Sequence, residues 1–163
     1  MTARERVGIS EFKIASAPAE LVTYGLGSCL GITIFDPEIG LGGLAHTLLP
    51  KPRVGMDDSR KSKFVDSSIR LMVAELLEKG ASKERLQAKL FGGANMFEAL
   101  QEWSGESIGQ RNISCARETL EEMGIKVLAE DVGGNFGRTL IFSLESGKVT
   151  VKSVREGQKE TEY

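Results

Sequence analysis

Val65-Asp66-Ser67-Ser68-Ile69-Arg70-Leu71-Met72-Val73-Ala74-Glu75-Leu76 is where the hydrophobic period of this chain changes. Val65, Ile69, Met72, Val73 and Leu76 stand at i, i+4, i+7, i+8 and i+11, one face of an amphipathic helix. Asp58 or Ser59 is the expected N-cap and Gly80 the expected stop. N-terminal to this helix the pattern is extended. Val7 to Ala15 alternates loosely and reads as a strand. Leu21 to Tyr24 is a second short strand. Leu30 to Phe35 is β-branched and aromatic, and Asp36-Pro37 stops it. Leu41 to Leu49 is a further extended run closed by Pro50. Lys51 to Asp58, with Pro52, Gly55 and two aspartates, reads as a surface loop.

C-terminal to the helix the pattern alternates once more. Leu86 to Phe91 reads as a strand running into Gly92-Gly93. Gly109 to Met123 reads as a second helix, with Ile113, Ala116, Leu120 and Met123 on one face and Gly124 ending it. Val127 to Glu130, Thr139 to Leu144 and Lys148 to Val154 read as strands, and Glu145-Ser146-Gly147 has hairpin-turn chemistry. Arg155 to Tyr163 is charged and is expected to fray. The order is strands, helix, strand, helix, strands. Strict alternation is missing, so a doubly wound parallel sheet is not expected. The expectation is one α+β domain over residues 1–163, with two long helices covering one face of a strand-rich core.

Composition excludes several classes of function. The chain has 163 residues, 40% of them hydrophobic, and a formal net charge of −2. That suits a single globular domain with its own core. No basic footprint of a nucleic-acid binder is present. No apolar run approaches the ~20 residues needed to cross a bilayer, and Met1 to Ser10 lacks the apolar centre of a signal peptide. The expectation is a soluble protein of the cytoplasm. Two cysteines form no disulfide framework in a domain of this size. One histidine and two separated cysteines give no zinc ligand set of familiar spacing, so no metal is expected.

The chemistry-bearing stretch is Thr23-Tyr24-Gly25-Leu26-Gly27-Ser28-Cys29-Leu30, with the chain's single histidine at His46. A thiol is a useful nucleophile only when something generates its thiolate, and imidazole is the common device. Glycines before Cys29 permit a tight turn whose backbone N–H groups can face a substrate oxygen. The same features also suit a buried, inert cysteine beside an ordinary turn. Gly25-Leu26-Gly27 is not a dinucleotide fingerprint, because Leu30 stands where the third glycine belongs and a strand follows. Two further glycine-paired segments occur, Phe91-Gly92-Gly93-Ala94-Asn95-Met96-Phe97 and Asp131-Val132-Gly133-Gly134-Asn135-Phe136-Gly137-Arg138. Each alone reads as a packed turn, the second with Arg138 pairing Asp131. Three such segments together suggest one assembled rim. Cys115, on the second helix, reads as a packed thiol. Trp103 falls in an expected loop and reads as a lid or a partner contact.

Five motifs in register extend these observations: Thr23 to Cys29, His46-Thr47-Leu48-Leu49-Pro50, Phe91 to Phe97, Ile108-Gly109-Gln110-Arg111-Asn112 and Asp131 to Arg138. Together they resemble the CheD family of chemoreceptor glutamine deamidases over about Val7 to Val154. The resemblance implies a three-layer α/β/β sandwich similar to the catalytic domain of cytotoxic necrotizing factor toxins. It implies that Cys29, His46 and Thr23 are the catalytic residues. Gly27 and Ser28 of the nucleophile turn and Gly92 and Gly93 of the second loop then serve as oxyanion or substrate-binding positions. The activity implied is hydrolysis of glutamine side chains on methyl-accepting chemotaxis receptors to glutamate and ammonia. No metal or organic cofactor is needed. The implied partners are those receptors and a CheC-type CheY-phosphate phosphatase. A transglutaminase or other cysteine amidase would use the same nucleophile and base. A purely regulatory binding protein is the third reading, and the presence of all three site residues speaks against it.

Overall fold

The computed structural model describes residues 3–57, 59–96, 107–153 and 159–163. Among them are ten strands and two α-helices. The strands are β1 (Arg4–Arg6), β2 (Glu11–Ser16), β3 (Glu20–Leu26), β4 (Leu30–Asp36), β5 (Leu41–Thr47), β6 (Gln87–Gly92), β7 (Lys126–Val132), β8 (Arg138–Ser143), β9 (Val149–Ser153) and β10 (Lys159–Glu162). The helices are α1 (Val65–Glu78) and α2 (Ile108–Glu122). Two mixed sheets result. One has the order β1-β3-β8-β9-β10 and the other β2-β5-β4-β6-β7. β6 and β7 are parallel because α2 carries the chain back between them, whereas β4 and β5 form an antiparallel hairpin.

Side-chain alternation builds two cores. Leu30, Ile32 and Ile34 of β4, with Leu41 and Ala45 of β5, pack beneath Ile69, Met72, Val73 and Leu76 of α1 and Ile113, Ala116 and Leu120 of α2. The opposite faces of β4 and β5 carry Phe35 and Leu44, which meet Leu21, Leu140, Phe142 and Val151 of the first sheet. The second sheet is therefore covered on both faces, which explains why β4 and β5 are buried at every position. The helices lie on one face of this sheet and the other sheet lies on its opposite face.

Three local expectations change. The run Val7 to Ala15 is not one strand: Val7 to Ser10 links β1 of the first sheet to β2 of the second, with Ser10 at φ 64°, and only Glu11 to Ala15 lies in β2. Val7 and Ile9 of the link are spaced like Phe12 and Ile14 of β2, so apolar spacing does not report where the strand begins. The N-cap of α1 is Phe64, preceded by a 3-10 turn over Lys61–Lys63, and it makes no side-chain cap bond. Ser59 is not the cap, and Asp58 lies outside the described residues. The expected fraying of Arg155 to Tyr163 does not hold for Lys159–Glu162, which pair antiparallel with β9; residues 154–158 are outside the described set, as are Phe97 and Trp103. The hairpin at Glu145-Ser146-Gly147 and the glycine stops at Gly80 and Gly124 stand as read.

Candidate active site

Thr23 follows Leu21 on the inward face of β3, and His46 follows Leu44 on the inward face of β5. Two polar side chains thus meet across an otherwise apolar inter-sheet layer. Thr23 is fully buried and His46 is 1% exposed. The Thr23 hydroxyl lies 2.7 Å from His46 Nδ1 and 2.7 Å from the carbonyl oxygen of Val7. A carbonyl can only accept, and a hydroxyl has one proton to give. Thr23 therefore donates to Val7 and accepts from His46 Nδ1–H. The tautomer follows: Nε2 carries the lone pair, and this atom is buried without a hydrogen-bond partner among the described residues.

Cys29 closes the turn between β3 and β4. Gly31, two residues on, pairs with His46 across the β4–β5 ladder. A strand's side chains alternate, so Cys29, Gly31 and His46 share the inter-sheet side, and Cys29 packs within that cluster. At 8% exposure the thiol is buried rather than presented on an open surface. Burial pushes its pKa up, opposed in part by the hydrogen bond from its own backbone N–H. Burial also pushes His46 down to about 4. The resting pair is thus neutral thiol and neutral imidazole, not a preformed ion pair.

The glycine that needs an unusual backbone is Gly25 (φ 70°), where the β3–β8 register shifts between Thr23 and Leu26. Gly27 has no positive φ; it lies against Met96 instead. Three carbonyls of the nucleophile turn are tied from behind. Gly27 O accepts from Ala94 N (2.8 Å), Ser28 O from Asn112 Nδ2 (3.0 Å) and Cys29 O from Gly93 N (2.9 Å). Gly92 (φ 96°) sits so close that a Cβ there would fall 2.5 Å from Cys29 O. Gly133 N and Asn95 N reach across to Gly92 O and Gly134 O. The three glycine-bearing segments therefore form one hydrogen-bonded rim. Beside it lies a cleft of about 240 Å³ lined by Ser28, Ala94, Asn95, Met96, Ser107, Ile108 and Gly109.

The remaining expected positions fall as follows. Arg138 pairs with Asp131 at 3.1 Å and stacks over Phe136. Cys115 is buried on α2, and its thiol donates weakly to Pro50 O (3.5 Å). No cluster of three metal-ligating side chains occurs among the described residues, and no helix there is long and apolar enough to cross a membrane. A residue that the sequence did not single out, Asn112, is fully buried on α2 and reaches the turn before Cys29. Its only sequence signal is its place in the Ile108 to Asn112 motif.

A family profile described as CheD chemotactic sensory transduction matches residues 48–153. The chain is 51% identical to a Geobacter metallireducens protein named "Probable chemoreceptor glutamine deamidase CheD 2", over 94% of this chain and 96% of that one. It is 53% identical to the Geobacter sulfurreducens "Probable chemoreceptor glutamine deamidase CheD 3", over 91% and 93%. A Desulforamulus reducens protein of the same kind of name is 45% identical over 91% and 90%. Among solved structures, the Bacillus licheniformis "hypothetical protein YfiH" overlaps with a TM-score of 0.43 at 12% identity, over 71% of this chain and 49% of that one. That likeness is too distant to bear on the site. The family profile and the near-full-length relatives place this chain in the CheD family.

Proposed function

We propose that this chain is a protein-glutamine deamidase. It converts glutamine side chains on methyl-accepting chemotaxis receptors to glutamates and releases ammonia, acting in the cytoplasm. The observation that carries the mechanism is the hydrogen-bond chain from His46 Nδ1 through Thr23 to Val7, which leaves Nε2 as a bare base on the face it shares with Cys29.

Cys29 Sγ attacks the carboxamide carbon, and its proton passes to His46 Nε2. The C=O pair moves to oxygen, where N–H groups of the turn at Gly27, Ser28 and Cys29 stabilise it. Collapse of this intermediate breaks the C–N bond, and the imidazolium protonates the departing ammonia. Water then attacks the thioester and gives a proton to His46. The thiolate leaves, regains that proton, and glutamate departs. Thr23 holds the imidazole in register throughout, although a neutral hydroxyl stabilises imidazolium less than a carboxylate would. Gly92 and Gly93 shape the wall that the substrate amide meets. No cofactor enters this cycle.

The layering supports a likeness to the cytotoxic necrotizing factor catalytic domain, since helices cover one side of a sheet and a second sheet covers the other. A CheC-type phosphatase binds the same rim in competition with receptor; this follows from the family resemblance, and competition between the two proteins in a deamidation assay tests it. The test of the activity is ammonia release from a receptor cytoplasmic fragment in the presence of excess primary amine. Stoichiometric ammonia and new carboxylate without amine incorporation is the expected result. Amine incorporation into the fragment would make the chain a transglutaminase instead.

A further inference from the structure

We infer that Asn112 is a positioning residue of this active site, orienting the Ser28–Cys29 peptide so that the Cys29 N–H faces the reacting centre. The inference rests on the deamidase reading. Asn112 sits on α2, beside the helix-side core, yet its amide reaches out of that layer to the Cys29 segment. Its Nδ2 group donates to Ser28 O (3.0 Å) and to Leu48 O (3.2 Å). Ser28 precedes the nucleophile, and Leu48 lies two residues after the base. One side chain therefore ties together the segments bearing Cys29 and His46.

The consequence follows from peptide geometry. In a trans peptide the C=O of one residue and the N–H of the next point in opposite directions. With Ser28 C=O drawn toward α2, the Cys29 N–H must point away from it. That N–H donates to no backbone carbonyl among the described residues. It lies instead near its own Sγ, where it lowers the thiol pKa against burial. This is the place a substrate oxyanion occupies once the Sγ–C bond forms.

The second sign is what the site tolerates. Asn112 is fully buried, and its Oδ1 has no hydrogen-bond partner among the described residues. A buried unmatched acceptor is costly. A residue chosen for core packing alone would be apolar here. Gly109, one turn earlier, lets α2 approach closely enough for this reach: a Cβ there would fall 2.4 Å from Gly93 O and 2.5 Å from Ala94 O.

The test compares wild type, Asn112→Ala, Asn112→Ser and the core control Leu120→Val, which lies on the same helix away from the turn. Two quantities are measured after folding is verified by thermal melting. The first is kcat and KM for ammonia release from a receptor cytoplasmic fragment. The second is the pH profile of Cys29 alkylation by iodoacetamide, followed by peptide mass mapping, which needs no receptor. For Asn112→Ala, kcat should fall at least about tenfold with KM nearly unchanged, because an oxyanion contact acts in the transition state. The alkylation midpoint should move up by about one pH unit, the effect of weakening one hydrogen bond to a thiolate. Asn112→Ser keeps one donor and should fall between; it carries the same comparison if the alanine variant does not fold. Leu120→Val should change stability and leave both quantities alone. A folded Asn112 variant with the wild-type alkylation profile overturns the inference, whatever the receptor assay shows. A wild type that releases no ammonia contradicts the deamidase reading instead, and the alkylation profiles still decide the role of Asn112.

Discussion

Where the single proton of Thr23 goes decides which nitrogen of His46 is left free to act as the proposed base. Because Val7 O takes that proton, Thr23→Val should remove the acceptor for Nδ1–H and lower kcat at least about tenfold, whereas Thr23→Ser should stay within about threefold of wild type. A folded valine variant as active as wild type would leave a Cys–His dyad without this third member. Burial gives a second prediction. His46 titrates at 6.5 in an unfolded chain and at about 4 in the folded one. Between those values the unfolded chain binds a proton that the native protein refuses, so stability falls as pH drops through that window and the difference is constant below it. The contribution approaches about 3 kcal/mol. Denaturant melts of wild type and His46→Gln at pH 7.5 and 4.5 should show the steeper loss in wild type. Turnover should persist down toward pH 4, since the base stays neutral to that point. Cys29 and His46 stood out as candidates in the sequence because chemistry singles them out: one glycine-flanked thiol and one imidazole. Thr23 was visible only through family resemblance, and Asn112 not as a site residue at all. An asparagine on a helix announces nothing until folding brings two distant carbonyls, those of Ser28 and Leu48, to its amide.

The elements hold these residues by close backbone approach rather than by bulky contacts. Gly92 is the clearest case, with its φ of 96° and the Cys29 carbonyl in its Cβ position. Gly92→Ala should cost at least about 2 kcal/mol and shift the nucleophile turn. Chemical denaturation together with ammonia release checks this; an alanine variant of wild-type stability and rate would show that the loop does not clamp the turn. The helices and most strands were readable because their periods are undisturbed over many residues, as in Val65 to Leu76. Val7 to Ala15 was misread because Val7 and Ile9, in the link before β2, are spaced like Phe12 and Ile14 within it. The sequence left open which glycine of the turn takes the unusual backbone. Gly25, at the β3 irregularity, carries the left-handed backbone, while Gly27 only makes room for Met96. Which glycine a bulge needs depends on the β8 partner strand, and sequence alone did not supply that register.

At the scale of the whole molecule, one sheet is shared by two cores. The helix side is an ordinary apolar core. The inter-sheet side admits a Thr–His pair and a thiol among leucines and phenylalanines. This placement keeps the pair dry and neutral, and it makes Cys29 part of the packing. Charge composition hid one feature at this scale. The C-terminal segment looked like a solvated tail, yet Tyr163 donates its hydroxyl to Asp131 (2.6 Å), and Lys89 Nζ caps the Tyr163 carbonyl (3.0 Å). Tyr163 also meets Phe91 edge-on. Deleting residues 159–163 should therefore lower stability by about 2–3 kcal/mol in urea melts, where a frayed tail would cost nothing. The central claim is that Cys29 carries covalent deamidation of receptor glutamines. Cys29→Ala removes a buried thiol at a cost of about 1 kcal/mol, so the variant should remain folded. Intact-mass analysis of a receptor cytoplasmic fragment should show a gain of about one dalton per modified glutamine with wild type, as amide nitrogen leaves through the thioester, and none with Cys29→Ala. The same gain with the folded Cys29→Ala variant would contradict the account.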